Sequence, residues 1–205
     1  VPGTPEFDIF IKEVQKEMTV KAGQKCTAVR RVIVPEKLIE DVQIALGQRL
    51  SKTTIGDPSV EGVRMGSLAG KSQKTEVLEN INKLAKSQEI VFGNEESFEV
   101  VGANKDKGAF VSPFLFLNSY PFKNLDCHDI EVFGPVATIM PYKDVNEAIK
   151  LARLGKGSLV CSLVTNDMKL AEQFVLGASS MHGRILVLNE SCAKESTGHG
   201  SPMPL

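Results

Sequence analysis

Apolar residues recur along this 205-residue chain with two alternating periods. Phe7, Phe10, Ile11, Val14 and Met18 return every three or four positions, which predicts a helix over 6–22 that follows the turn-rich 1–5 and stops near Ala22-Gly23. The β-branched run 28–34, closed by Pro35, reads as a buried strand. Pro35-Glu36 then opens a helix to about Leu50, with Leu38, Ile39, Val42, Ala45 and Leu46 as its apolar stripe. Val77, Ile81 and Leu84 mark a third helix over 72–88, and further helices fall at 144–152 and 167–177, the latter capped by Asn166-Asp167. Short strands are expected at 89–92, 98–102, 110–116, 136–140, 158–164 and 183–189. Strands alternating with helices predict an α/β fold: one layered domain over 1–205 with a mostly parallel sheet flanked by helices, its substrate edge at the carboxyl ends of the strands. The tail 191–205, rich in Ser, Gly and Pro, reads as a loop with no terminating element, as if cut from a longer polypeptide.

Composition narrows the function classes. Lys+Arg 24 against Asp+Glu 25 gives a formal charge of -1 with the basic residues dispersed, which argues against nucleic acid as a partner. No apolar run approaches the roughly 20 residues that span a bilayer, and 1–6 lacks a signal-peptide layout, so no membrane partner and a cytoplasmic location are expected. Four cysteines without a CxxC pair and three histidines make a metal site improbable, and the adjacent Cys127-His128 lacks ligand spacing.

Cys26 is the first candidate for chemistry. It stands in a loop between a helix and a buried strand, after Gly23, whose missing Cβ permits close backbone approach. Lys21, Lys25 and one of Arg30 or Arg31 favour a thiolate there, while the C-terminal end of the preceding helix opposes it. The plainer alternative is a small buried hydrophobe.

The segment Gly23-Gln24-Lys25-Cys26-Thr27-Ala28-x-x-Arg31 resembles the aldehyde dehydrogenase active-site signature G-Q-x-C-x-A-x-x-R. A second segment, Glu131-Val132-Phe133-Gly134-Pro135-Val136, resembles that family's E-x-F-G-P-V. Softer matches are Ile55-Gly56-Asp57-Pro58, the stretch from Gly108 to Pro113, and Asn189. The tail from Asn189 to Pro202 is similar to the aldehyde dehydrogenase part of bifunctional phenylacetate-degradation enzymes, in which it is fused to a MaoC-like hydratase; ordinary members read differently there.

The resemblance implies that the Cys26 thiolate adds to an aldehyde carbon, with the Cys26 backbone N–H among the oxyanion donors. Hydride then leaves to NADP or NAD, and the thioester is hydrolysed by water that a glutamate activates. Glu131 and Phe133 would hold the nicotinamide riboside; read without the resemblance, they are a solvated carboxylate and a core ring. The substrate implied is an aldehyde, CoA-linked in the phenylacetate branch, and the full-length protein is expected to be a homo-oligomer. The family's general-base glutamate, its side-chain oxyanion donor and its dinucleotide-binding domain lie upstream of its nucleophile, further back than Val1, so the 205 residues alone are expected to be inactive and to expose apolar surface that favours self-association. Glu6, Glu13 and Glu17 sit on the first helix and read as structural. Two other readings stay open: an acyl-transfer enzyme pairing Cys26 with His128 or His182, and a non-catalytic assembly module.

Overall fold

The computed structural model describes residues 1–200; of the tail loop expected at 191–205, the part 201–205 lies outside the described residues. In chain order the elements are α1 (Pro5–Thr19), β1 (Arg31–Pro35), α2 (Ile39–Leu50), α3 (Lys71–Leu84), β2 (Glu89–Phe92), β3 (Phe114–Leu117), α4 (Asp126–Asp129), β4 (Val136–Tyr142), α5 (Val145–Arg153), β5 (Ser158–Val164), α6 (Met168–Ala178) and β6 (His182–Leu188). The pairs β1–β4, β3–β4 and β5–β6 are parallel, and only β2 runs antiparallel, against β3. The mostly parallel strands fall in two groups, ordered β1-β4-β3-β2 and β5-β6. Between β1 and β5 lies a cavity of about 650 Å³ that Val32, Ile33, Val160 and Ser162 help to line.

Period-two alternation sorts the strand residues onto two helix layers. Val32 and Val34 of β1, Leu115 of β3, and Ala137 and Ile139 of β4 pack with Ile11, Val14 and Met18 of α1 and with Val42, Leu46 and Leu50 of α2. On the opposite face Phe114, Phe116 and Val136 pack with Val77, Ile81 and Leu84 of α3. Ile33 turns to the same side as α5 and α6, whose Ala148, Ala152, Phe174 and Ala178 form the third cluster. Leu115 and Phe116 are both fully buried, so β3 anchors both layers at once, each side chain contributing about 1.5–3 kcal/mol of apolar burial.

Several boundaries differ from expectation for physical reasons. The first helix ends at Thr19, three residues short, because Lys21 and Ala22 adopt left-handed backbone (φ 55° and 51°), which a right-handed helix cannot continue. The helix expected at 72–88 stops at Leu84, and 85–88 close in turns, with the Gln88 N–H donating to the Leu84 carbonyl. At 98–102 only Val101 pairs, bridging Gly56; the ammonium of Lys105 takes the carbonyls of Glu96 and Phe98 at 2.6 and 3.0 Å, so these acceptors need no neighbouring strand. The strand expected from 110 begins at Phe114, since Pro113 has no N–H to give to a ladder. Among the described residues no helix is long and apolar enough to cross a membrane.

Gly23 (φ 68°) follows the two left-handed residues and lies against the loop that leads into β4, where an added Cβ would collide with the Gly134 carbonyl. Gly62 (φ 89°) has open space around the same position. Urea unfolding is expected to show that Gly62→Ala costs about 1 kcal/mol of backbone strain, whereas Gly23→Ala costs ~3 kcal/mol or more because a backbone carbonyl must also move. Equal losses in the two variants would contradict this account of the loop contact.

Candidate active site

The loop that carries Cys26 is built by the reversal of backbone hand at 21–23. After it the chain makes a turn in which the Ala28 N–H donates to the Lys25 carbonyl at 3.1 Å, and Cys26 sits at the second position of that turn. Of the four cysteines Cys26 is the exposed one, while Cys127 is buried and Cys161 and Cys192 are half-buried. The Cys26 N–H has no acceptor among the described residues, although the N–H groups of Gln24 and Lys25 on its amino side are both bonded. Gln24 fixes one flank, its Oε1 accepting from the Ala69 N–H at 2.8 Å. Lys25 fixes the other, its Nζ donating at 2.6 Å to the buried carboxylate of Glu17.

Glu131 and Phe133 lie on the segment entering β4. Val132 between them is buried, and the alternation sends the flanking side chains outward, Glu131 to 61 % and Phe133 to 40 % exposure. This segment meets the Cys26 loop backbone to backbone at Gly23 and Gly134. Arg30 bolts the two together: Nη2 donates to the Gly23 carbonyl at 2.6 Å and Nη1 to the Gly134 carbonyl at 2.9 Å. Its Nε faces the Glu131 carboxylate at 3.8 Å, and its guanidinium stands 5.6 Å from the Phe133 ring centre. Burial lowers the Arg30 pKa, and the Glu131 carboxylate opposes that shift.

The signature arginine, Arg31, points elsewhere. It donates to the carbonyls of Leu151 and Ala152 at 2.7 and 3.1 Å, closing the C-terminal end of α5, and it contacts His128 Nδ1 at 3.3 Å. The cations expected to favour a Cys26 thiolate are therefore largely committed: Lys25 to Glu17, Arg30 to the two loops, and Arg31 to α5. His128 is engaged at both ring nitrogens, the second by the Pro121 carbonyl at 2.9 Å, and His182 Nδ1 bonds the Ala178 carbonyl at 2.9 Å; among the described residues neither ring makes a hydrogen bond to Cys26. The Cys127 sulfur accepts from Asn118 at 3.2 Å, and burial pushes the Cys161 thiol up to about 11. Among the described residues no group of three or more His, Cys, Asp or Glu side chains is placed to hold a metal ion.

Asn189 caps the turn after β6, its Oδ1 accepting from the Ser191 hydroxyl at 2.6 Å and from the Ser191 and Cys192 N–H groups. Gly56 of the softer match approaches the Val101 backbone so closely that a Cβ would collide with it. Two residues beyond the expected set bear on the site. Arg30 occupies a position that the signature leaves open, so only the structure reveals its bridging role. Glu17 carries a sequence signal, since it falls among the apolar positions Val14 and Met18, where a carboxylate needs a buried partner.

A profile of the aldehyde dehydrogenase family matches residues 4–198. The chain is 42% identical over 203 residues to the 3,4-dehydroadipyl-CoA semialdehyde dehydrogenase of Aromatoleum evansii, covering 99% of this chain and 39% of that one. It is 47% identical over 141 residues to Protein MaoC of Klebsiella aerogenes, covering 68% of this chain and 40% of the relative. Among solved structures it is similar to a betaine aldehyde dehydrogenase variant from Staphylococcus aureus in complex with NAD+, with a TM-score of 0.79 and 20% identity over 90% of this chain and 36% of that chain. It is also similar to an aldehyde dehydrogenase C mutant from Pseudomonas syringae complexed with NAD+ and octanal, at a TM-score of 0.75 and 22% identity over 91% of this chain and 37% of that chain. These structural likenesses establish the fold, and the chain spans about two fifths of the length of the curated relatives it matches. With the family profile running through both the Cys26 loop and the segment that Arg30 fastens to it, the chain belongs to the aldehyde dehydrogenase family.

Proposed function

We propose that residues 1–205 form the nucleophile-bearing domain of an NAD(P)-dependent aldehyde dehydrogenase that oxidises a CoA-linked semialdehyde to its acid. One observation carries the reading: the exposed thiol of Cys26, with a backbone N–H that has no acceptor among the described residues, stands on a loop fastened to the segment that projects Glu131 and Phe133 into solvent. Family membership supports the aldehyde, and the name of the Aromatoleum relative supports a CoA-linked one. Exposed apolar side chains at Leu159, Met168 and Leu176 support homo-oligomeric assembly of the whole protein.

The Cys26 thiolate adds to the aldehyde carbon, and the resulting oxyanion accepts a hydrogen bond from the Cys26 N–H. An outward carboxylate beside a half-exposed ring fits a nicotinamide riboside: Glu131 accepts from the ribose hydroxyls and Phe133 offers an apolar face. NAD(P), when bound, supplies the hydride acceptor that turns the Cys26 adduct into a thioester. Arg30 holds Glu131 and Phe133 in register with the thiol throughout. Hydrolysis of the thioester needs a general-base carboxylate, which we assign to chain outside residues 1–205 along with most of the dinucleotide site. Residues 1–205 alone therefore produce no steady NAD(P)H from an aldehyde.

In the full-length polypeptide, Cys26→Ala is expected to abolish aldehyde-dependent NAD(P)H formation, and Glu131→Gln to lower it by about 10²-fold through lost positioning. Iodoacetamide at neutral pH should label Cys26 ahead of Cys127 and Cys161, as read by peptide mass spectrometry. Wild-type turnover in Cys26→Ala would overturn the reading.

A further inference from the structure

On the flank opposite Glu131, the nucleophile loop rests on a buried polar cluster that the reaction outlined above does not use. Residues 189–200 leave β6 in a series of turns, the Gly198 N–H donating to Ser196 Oγ at 3.0 Å, and then run inward. His199 is only 6 % exposed. Its Nδ1 lies 2.7 Å from Ser162 Oγ on β5, its ring faces the Thr27 backbone, and its carbonyl accepts from Arg184 of β6. The next residue closes the cluster: Thr27 Oγ1 donates to the Gly200 carbonyl at 3.5 Å. A Cβ on Gly200 would lie 2.8 Å from Thr27 Oγ1, 2.9 Å from Lys25 Nζ and 3.0 Å from Glu17 Oε2, so any larger residue there would have to displace these side-chain ends.

The cluster reaches both residues that flank Cys26. Lys25 precedes it and is held by Glu17 of α1; Thr27 follows it, bonded through Oγ1 to the Gly200 carbonyl and faced by the His199 ring. We propose that His199 is a positioning residue for Cys26: oriented by Ser162, its ring donates to the Thr27 carbonyl and so sets the turn that aims the Cys26 sulfur and N–H. The proposal rests on the reading of Cys26 as nucleophile. Burial lowers the imidazole pKa, with Glu17 and the Thr27 carbonyl opposing and Lys25 and Arg184 assisting, so the site favours the neutral ring. A neutral ring whose Nδ1 accepts from the Ser162 hydroxyl carries its proton on Nε2, the donor required for Thr27.

The test uses the full-length polypeptide and three variants, His199→Ala, His199→Gln and Ser162→Ala. Each is assayed for kcat and the cofactor KM, and for the iodoacetamide labelling rate of Cys26 with Cys192 as internal reference. His199→Ala is expected to lower kcat by about tenfold or more through misplacement of the thiol, with the cofactor KM within about twofold and a changed Cys26 labelling rate. His199→Gln, whose amide N–H replaces the Nε2 donor, is expected to restore most of kcat, and Ser162→Ala to fall between. In the parent protein the Cys26 labelling rate should show an added fall as pH drops below the ordinary imidazole range and His199 takes a second proton; His199→Gln should lack it. Parent-like kcat and labelling in both His199→Ala and Ser162→Ala overturn the proposal, as does a glutamine variant no better than the alanine one. Should His199→Ala fail to fold, His199→Gln and Ser162→Ala decide by the same criteria. Turnover that survives Cys26→Ala would sink the nucleophile reading itself, whereas the labelling comparison reports on His199 separately.

Discussion

The carbonyl oxygens of Gly23 and Gly134 face the same guanidinium, and the geometry of the candidate site depends on that arrangement. Two loops separated by more than a hundred residues in sequence would otherwise present backbone acceptors to each other with no donor between them. Arg30 satisfies both, and because its fork is planar and rigid it also fixes the distance between them. The glycines are part of the same constraint, since a side chain on Gly23 would occupy the volume of the Gly134 carbonyl. Cys26 on one loop and Glu131 with Phe133 on the other are consequently placed relative to each other by backbone contacts, which tolerate little drift.

The rest of the fold holds that junction from both faces of the sheet. The α1 and α2 layer fixes the start of the Cys26 loop through Met18 and the Glu17–Lys25 pair. The opposite layer fixes its end, with Arg31 tying the first residue of β1 to the last turn of α5. The two adjacent arginines therefore do different work. Arg30 joins loop to loop, and Arg31 joins strand to helix.

Much of this architecture was legible in the sequence, because strand and helix periods differ enough to be told apart. The strands expected at 89–92 and 158–164 coincide with β2 and β5, and Asp167 caps α6 as its position suggested. Where the reading failed, the deciding interaction was long-range or conformational. Periodicity carries no record of backbone hand, so Lys21 and Ala22 ended α1 unannounced. The carbonyls near Phe98 met the ammonium of Lys105 instead of a neighbouring strand, a choice made by a residue outside the apolar pattern. The charges around Cys26 were legible as types but not as directions, and the direction of Lys25 follows from Glu17, one helical turn past Val14 on a face that looks apolar.

The contact between Thr27 and Gly200 spans 173 positions. Closing so long a loop is slow compared with forming the helices and short-range pairs that surround it. During synthesis the turn around Cys26 leaves the ribosome 173 positions ahead of Gly200. A nascent or partly unfolded chain therefore carries the cysteine before the contact between Thr27 and Gly200 can form.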